Sequence, residues 1–416
     1  MKIYTHRKQF LTPKDLFIFA ILFCLFLGSL NLINRFYYFV YIAAFLFLVM
    51  PNGKMRFDSG FFALILFSMT LLLFDPSYQT MVTSMIKPFT YPLCYLIGTS
   101  LFSAGVKEDN DLLRDEKRTA WIIYVAASGV LLHFILNRII NHGIDSRNVI
   151  DFWTRQEMSA TGQATMACLM IAVAVAFLFS KVKKTKKVIA ILSLLIILEY
   201  NIILAGRTIF ALILIAVGIA FLYSIRENRN KRFFRRSIKL ILIVAVIFGL
   251  LFAMYNSNIF GVKDAFESSN FYERFFGGKY AQDMEEDLRM EHKMYYIEHF
   301  WESMLGGEKL RAVYGHHSHD LYLDTYDEAG IFALIFIVFY IVKSLGRAIR
   351  CARNKNLTFE IRLLILCVYV VVNVQFWLEP IIRGVPWLLA TYALIDGAVA
   401  RLLVRERESS AAKSVS

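Results

Sequence analysis

Apolar runs close to the length of a membrane span recur along the chain, with short charged stretches between them. "VIAILSLLIILEY" and "IKLILIVAVIFGLLFAMY" are clear examples. A bilayer core of ~30 Å is crossed by about 20 helical residues, because a helix satisfies its backbone amides within its own segment. The pattern predicts an all-α polytopic membrane protein with about twelve transmembrane helices. Their approximate spans are 15–33, 36–50, 60–74, 82–102, 119–138, 164–180, 188–205, 208–224, 238–255, 328–345, 363–378 and 386–403. The fourth contains Lys87 and Pro88, which predicts a kinked or re-entrant outer half. The first run, from Leu16 to Ile33, lacks a small-residue cleavage site after it and reads as a retained helix.

Charge then orients the spans. Of 416 residues, 57% are hydrophobic and only 19% charged, with a mean hydropathy of +0.52 and a net charge of +13. The basic surplus gathers in "KVKKTKK", "IRENRNKRFFRRSIK" and "KSLGRAIRCARNKN". Lys and Arg favour the cytoplasmic side of a membrane protein, so this surplus is read as topology and no nucleic-acid partner is expected. An N-terminus in the cytoplasm puts every Lys/Arg-rich loop inside when the spans alternate, and the C-terminus falls inside with them. Four of the five cysteines lie in apolar runs and Cys351 in a basic loop; no CxxC pair occurs, and no structural disulfide is implied.

The expected organisation is nine helices over residues 1–255, a large external loop over 256–318, three helices over 319–403 and a cytoplasmic tail over 404–416. The long loop holds eleven acids and seven Lys/Arg, a net −4 against the basic inner loops. It also holds "EEDLRMEHKMYYIEHFWESMLGG", whose apolar positions recur near a 3.6 period and predict an amphipathic helix. The other outer segments are "IINHGIDSRNVIDFWTRQEMSATGQ", the tight turn "AGRT" and "EPIIRGVPW".

Five of the eight histidines lie between His292 and His319, three of them inside "YGHHSHDLYLDTYDEAG". Ser318 is the expected N-cap of the following helix, with His319 in its first position and Asp320 in its first turn. The helix dipole disfavours imidazolium there, and a neutral imidazole is the form a general base needs. Asp320, Asp324 and Asp327 share a face at i, i+4 and i+7, a fit for arginine partners. Two other readings stand beside this one: a polar helix entrance with incidental histidines, and a zinc site on His316, His317 and His319, which lacks a matched distant ligand pair. Arg207 is the second candidate. It sits in an outer turn where Arg is disfavoured, at a depth suited to gripping a phosphate or pyrophosphate bidentately. Arg147, Arg155, Arg289 and Arg383 are further external cations.

This layout resembles the O-antigen ligase/polymerase superfamily of bacterial inner-membrane glycosyltransferases, whose motif after the large loop is H-[NSQ]-x9-G-x2-[GTY]. Starting at His317–Ser318 puts Glu328 where glycine is required. Starting at His319 places Gly330 correctly, with Asp320 in the amide or hydroxyl position and Ala333 at the last. "LAGRTIFALIL" resembles the family's arginine turn, and "LRMEHKMYYIEHFWESMLGG" its segment before the motif. The resemblance implies a GT-C-like ligase/polymerase architecture. His319 would be the catalytic base, and Arg207 and Arg289 the pyrophosphate contacts; Asp320, beside the base, and the external cations Arg147 and Arg383 are further candidate substrate-binding residues. It also implies an undecaprenyl-pyrophosphate-linked glycan as donor, with no cofactor and no metal, and a flippase and a chain-length regulator as partners. The expected activity is polymerisation of oligosaccharide repeat units at the outer face of the bacterial cytoplasmic membrane. The alternatives are an O-antigen ligase acting on lipid A core and, in a different class, a transporter of lipid-linked oligosaccharides. A transporter would need ionisable residues near the midplane, where Glu199, Lys87 and Asp396 are the few that occur.

Overall fold

The computed structural model describes residues 13–29, 57–80, 82–100, 110–142, 148–227, 249, 252–276 and 288–415. The helix expected over 36–50 and most of that over 238–255 lie outside them. The described residues form helices α1 (Pro13–Ser29), α2 (Ser59–Phe74), α3 (Val82–Ile86), α4 (Thr90–Ser100), α5 (Asn110–Ile140), α6 (Ala160–Phe179), α7 (Lys184–Ile203) and α8 (Thr208–Glu227). Two short helices follow, α9 (Val262–Glu267) and α10 (Asn270–Phe275), then α11 (Leu288–Glu298) and α12 (Lys309–Tyr314). The chain ends with α13 (Leu321–Arg353), α14 (Phe359–Leu378), α15 (Ile381–Gly384) and α16 (Pro386–Val415). A two-stranded hairpin, β1 (Asn148–Ile150) with β2 (Glu157–Ser159), precedes α6.

Among the described residues, six helices (α5, α6, α8, α13, α14 and α16) are long and apolar enough to cross a membrane. Large apolar side chains also stand exposed in stripes, such as Phe62, Leu66, Met69 and Leu73 on α2 and Ile191, Leu192 and Leu195 on α7. In water such contiguous apolar surface would be costly; against acyl chains it is the expected exterior. The protein is an all-α membrane-embedded chain.

α6 is the central helix, packed by α5, α7, α8 and α14, and a second group joins α2, α4, α13 and α16. Small residues set the closest crossing. A Cβ on Gly98 of α4 would sit 2.2 Å from the Leu394 carbonyl of α16, and one on Gly397 2.1 Å from the Tyr95 carbonyl. Without side chains at that point the two backbones meet directly, as in other small-residue membrane contacts. The expected interruption at Lys87 and Pro88 is present. α3 ends at Ile86, α4 starts at Thr90, and Ser68 of α2 donates its hydroxyl to the Pro88 carbonyl at 2.7 Å, which also accepts the Tyr91 amide at 3.3 Å.

α13 differs most from expectation. It starts earlier and runs on to Arg353, so Cys351 is buried in its last turns and not in a loop. "RAIRCAR" is made of good helix formers, and its arginines suit the negative end of the dipole. The helix is also broken internally, at Gly330 (φ 80°, ψ −175°), a conformation essentially restricted to glycine. A Cβ there would meet the Met304 carbonyl at 2.6 Å, and one on the facing Gly306 would meet the Glu328 carbonyl at 2.6 Å.

Gly330→Ala is therefore expected to cost about 1–3 kcal/mol, as overpacking does, and to lower the melting temperature of the detergent-purified protein. Gly346, in the same helix with nothing beyond its own stretch of helix backbone within 4 Å of the place a Cβ would take, is the control: Gly346→Ala should hold or raise it. Equal melts for the two variants would contradict the close packing at Gly330.

Candidate functional site

The broken start of α13 is assembled with the segment before it. The amides of Gly307 and Glu308 donate to the carbonyls of Glu328 (3.0 Å) and Asp327 (2.8 Å), and the Ile331 amide donates to the Met304 carbonyl (2.9 Å). The Asp327 carboxylate accepts from the Ser303 hydroxyl at 2.9 Å and from the amides of Leu310 (2.8 Å) and Arg311 (3.1 Å). It thus caps α12, whose own N-cap residue Glu308 makes no side-chain cap bond.

The N-cap of α13 is Asp320, not Ser318. Its Oδ1 accepts from the amides of Tyr322 (2.9 Å) and Leu323 (2.8 Å), and its Oδ2 pairs with Lys293 at 3.4 Å. Ser318 is drawn away because its amide and hydroxyl both donate to Asp324 at 2.9 Å. His319 consequently lies just outside the helix, in the left-handed region at φ 62°. The three acids on one face bond backbone amides, serines and Lys293; the expected arginine side-chain partners are not what holds them.

His319 is half-buried, and its ring stacks on that of His292, with centroids 5.6 Å apart. His292 stacks in turn on His316 at 4.8 Å. Burial first, then the Arg289 guanidinium and the neighbouring histidines, push the His319 pKa down from 6.5 to about 4. The imidazole is neutral at physiological pH, though burial and Arg289 bring this about where the sequence pointed to the helix dipole. Among the described residues no group of three His, Cys, Asp or Glu is arranged to hold a metal ion.

Arg289 and Lys293 lie one turn apart on α11 and reach the end of α14. Arg289 pairs with Glu379 at 3.3 Å and donates to the Leu378 carbonyl, while Lys293 donates to the Trp377 carbonyl at 2.7 Å. Burial raises the Glu379 pKa to about 7 against the pull of Arg289. Glu379 also lines a cavity of about 670 Å³, together with Tyr78, Lys87, Tyr91, Asp151 and Arg383. This space collects the Lys87–Pro88 break, the β1–β2 hairpin and "EPIIRGVPW" at one end of the bundle. His319, Arg289 and Arg207 do not line it; Arg289, whose charge acts on His319, reaches the lining through its pair with Glu379.

Arg383 is clamped by Glu328 and Glu308, with Asp75 at 3.9 Å. Arg207 stands half-buried in the α7–α8 turn, which Asn201 braces by donating to the Gly206 carbonyl at 2.8 Å. Phe210, just beyond it, meets Phe271 of α10 edge-on at 5.7 Å, so this turn shares its end of the bundle with the long loop. Arg147 lies outside the described residues. The amphipathic segment forms α11 followed by a 3-10 turn over Phe300–Ser303, so its regular α-helical part is shorter than its periodicity suggested. Reading the residues one by one missed Glu379, Glu328, Glu308 and Tyr91. Only Glu379, a carboxylate next to Pro380 in an outer segment, carried a signal that could have found it.

A scan against protein-family models finds no match for this chain, and a search of curated proteins finds none either.

The site predicts an unusual titration. Because the folded environment disfavours imidazolium, His319 should stay neutral as pH falls through 6.5 and take its proton only near 4. Arg289→Gln should move that midpoint up, part of the way back to 6.5, burial retaining the rest. Histidine-labelled NMR, assigned with His319→Gln, reads both midpoints; a wild-type value at or above 6 would remove the neutral-base assignment.

Proposed function

We propose that this chain is a glycosyltransferase that joins oligosaccharide repeat units carried on undecaprenyl pyrophosphate, at the outer face of a bacterial cytoplasmic membrane. The observation carrying the reading is His319, an imidazole held neutral by burial and by the Arg289 guanidinium, whose partner Glu379 lines a cavity of about 670 Å³ at one end of a membrane-embedded bundle. In the proposed step an acceptor sugar hydroxyl attacks the anomeric carbon of the donor glycan. A new C–O bond forms as the anomeric carbon–phosphate oxygen bond breaks, undecaprenyl pyrophosphate leaves, and His319 takes the hydroxyl proton. Arg289 is the cation next to the base; with Arg207 from the neighbouring turn it would stabilise charge on the leaving pyrophosphate. Asp320 holds the helix start, and Gly330 holds the break that positions it. Arg383 lines the cavity with its charge already met by carboxylates, so it is assigned to cavity shape ahead of phosphate binding. The resemblance in the motif from His319 to Gly330 supports the chemistry; transfer of a finished glycan to lipid A core is the same reaction with another acceptor.

Transport of a lipid-linked glycan has one specific observation in its favour. Asp396 is fully buried within α16 and paired with Arg347 of α13, and intramembrane ion pairs often line transport paths.

The test is to express His319→Ala, Arg289→Ala and Arg207→Ala in a strain lacking this gene and to resolve its surface polysaccharide on a gel. His319→Ala should cut polymer by about 10²-fold or more, and each arginine variant by up to about 10³-fold. Single-repeat products in place of a ladder identify a polymerase, and full-length chains left on the carrier a ligase. Loss of all outer-face glycan, including single repeats, points to transport. An unchanged ladder from His319→Ala would overturn the assignment of the base.

A further inference from the structure

α13 carries a second polar site, ~25 Å beyond the Gly330 break at 1.5 Å per residue. There a cavity of about 240 Å³ opens between the start of α2, the end of α4, α13 and α16. Its charged lining is Lys343, Arg347 and Arg350 from α13, Arg401 and Arg407 from α16, and the single carboxylate of Asp58. Three of these charges are already engaged, among them Arg401, which reaches the Glu408 carboxylate at 4.0 Å. Asp58 caps α2 through the amides of Gly60 and Phe61 and accepts the Tyr95 hydroxyl at 2.7 Å. Arg347 is held by both oxygens of Asp396. Lys343, Arg350 and Arg407 are paired with no carboxylate among the described residues, and Arg350 donates only to the Gly346 carbonyl of its own helix, at 3.2 Å.

Lys343, Arg350 and Arg407 are themselves exposed, and they line a concavity together with arginines only 5% (Arg347) and 8% (Arg401) exposed. A cluster of guanidinium and ammonium donors with surplus positive charge selects a compact polyvalent oxyanion, and phosphate fits best. At ~30 Å³ per water the space equals about eight waters, enough for a phosphate and part of its hydration shell. Val342 and Ile349, the residues preceding Lys343 and Arg350, are 62% and 48% exposed. They do not line the cavity, but they give the same stretch of α13 an exposed apolar face suited to acyl chains.

We propose that this cavity binds a phosphate group, presented by an acidic phospholipid headgroup or as free phosphate. The site lies at the end of α13 remote from His319 and does not rest on the glycosyl-transfer reading. The full-length protein would be reconstituted in nanodiscs of phosphatidylcholine alone or mixed with phosphatidylglycerol, and the lipids it retains counted by native mass spectrometry. In parallel its melting would be followed in sodium phosphate against sodium chloride at matched ionic strength. The variant combines Lys343→Gln, Arg350→Gln and Arg407→Gln and leaves the Arg347–Asp396 pair and the Asp58 cap in place. With each basic residue near a membrane surface contributing about 1 kcal/mol toward anionic lipid, the wild type should prefer phosphatidylglycerol by about tenfold or more and the variant should lose most of that preference. Stabilisation by phosphate without a lipid preference, lost in the variant, assigns the soluble source. Wild type showing neither effect overturns the proposal, whatever the variant does; so does a folded variant that keeps both in full.

Discussion

Three main-chain hydrogen bonds across the break in α13 decide what the rest of this molecule can present. In an unbroken helix the Ile331 amide would bond to the Asp327 carbonyl and the Phe332 amide to the Glu328 carbonyl. Instead, Glu308 and Gly307 take those carbonyls and Met304 takes the Ile331 amide. Buried backbone groups must be paired, so the break exists only while the preceding loop is docked, and the loop is docked only while the break holds. This one exchange brings the Asp327 carboxylate to the start of α12, sets Glu328 and Glu308 on either side of Arg383, and leaves His319 at the edge of a short, rigid helical turn.

Around that turn the charges are almost all accounted for by neighbours: Asp320 with Lys293, Arg289 with Glu379, Arg383 with three carboxylates. The neutral imidazole stands at the centre of a paired set. Such a set can still admit an anion if one acid can yield, and Glu379 is built for that. Burial lifts it to about 7, so an anion arriving at Arg289 would displace a carboxylate able to take a proton near neutrality. The exchange would then leave no unpaired buried charge, which is the usual obstacle to breaking an ion pair in a low dielectric.

The helices were legible because apolar length and the period of 3.6 are local properties, and the interruption at Lys87–Pro88 was legible because proline acts on its own turn. The Phe210–Phe271 contact joins the α7–α8 turn to α10, and the large cavity is lined by both the hairpin and "EPIIRGVPW". The N-cap of α13 was not. Ser318 and Asp320 are both good caps by type, and the choice fell to Asp324, four residues into the helix, which claims the Ser318 hydroxyl. Likewise the face of Asp320, Asp324 and Asp327 looked like an arginine-binding stripe from its spacing, yet its amide partners come from a loop whose docking no local pattern encodes. Gly330 was singled out by its distance from His319; the Met304 and Leu305 backbone that it packs against could be found only in three dimensions.

α13 connects two ends with opposite electrostatic designs. At the His319 end Arg289, Lys293 and Arg383 are each met by carboxylates or carbonyls. Toward the other end Arg347 is buried with Asp396, which also accepts the Tyr369 hydroxyl at 2.8 Å, while Ser344 and Asn373 hold Tyr392 at 2.7 and 2.9 Å. An ion pair in a membrane interior is expensive unless its remaining hydrogen-bonding capacity is filled, and here tyrosines from neighbouring helices surround it. The pair fixes the register of α13 against α16, so the remaining basic side chains of both helices are presented from one rigid wall. Lys343, Arg350 and Arg407 therefore line a cavity whose backbone walls are set by the Arg347–Asp396 pair, while their own side chains stay exposed.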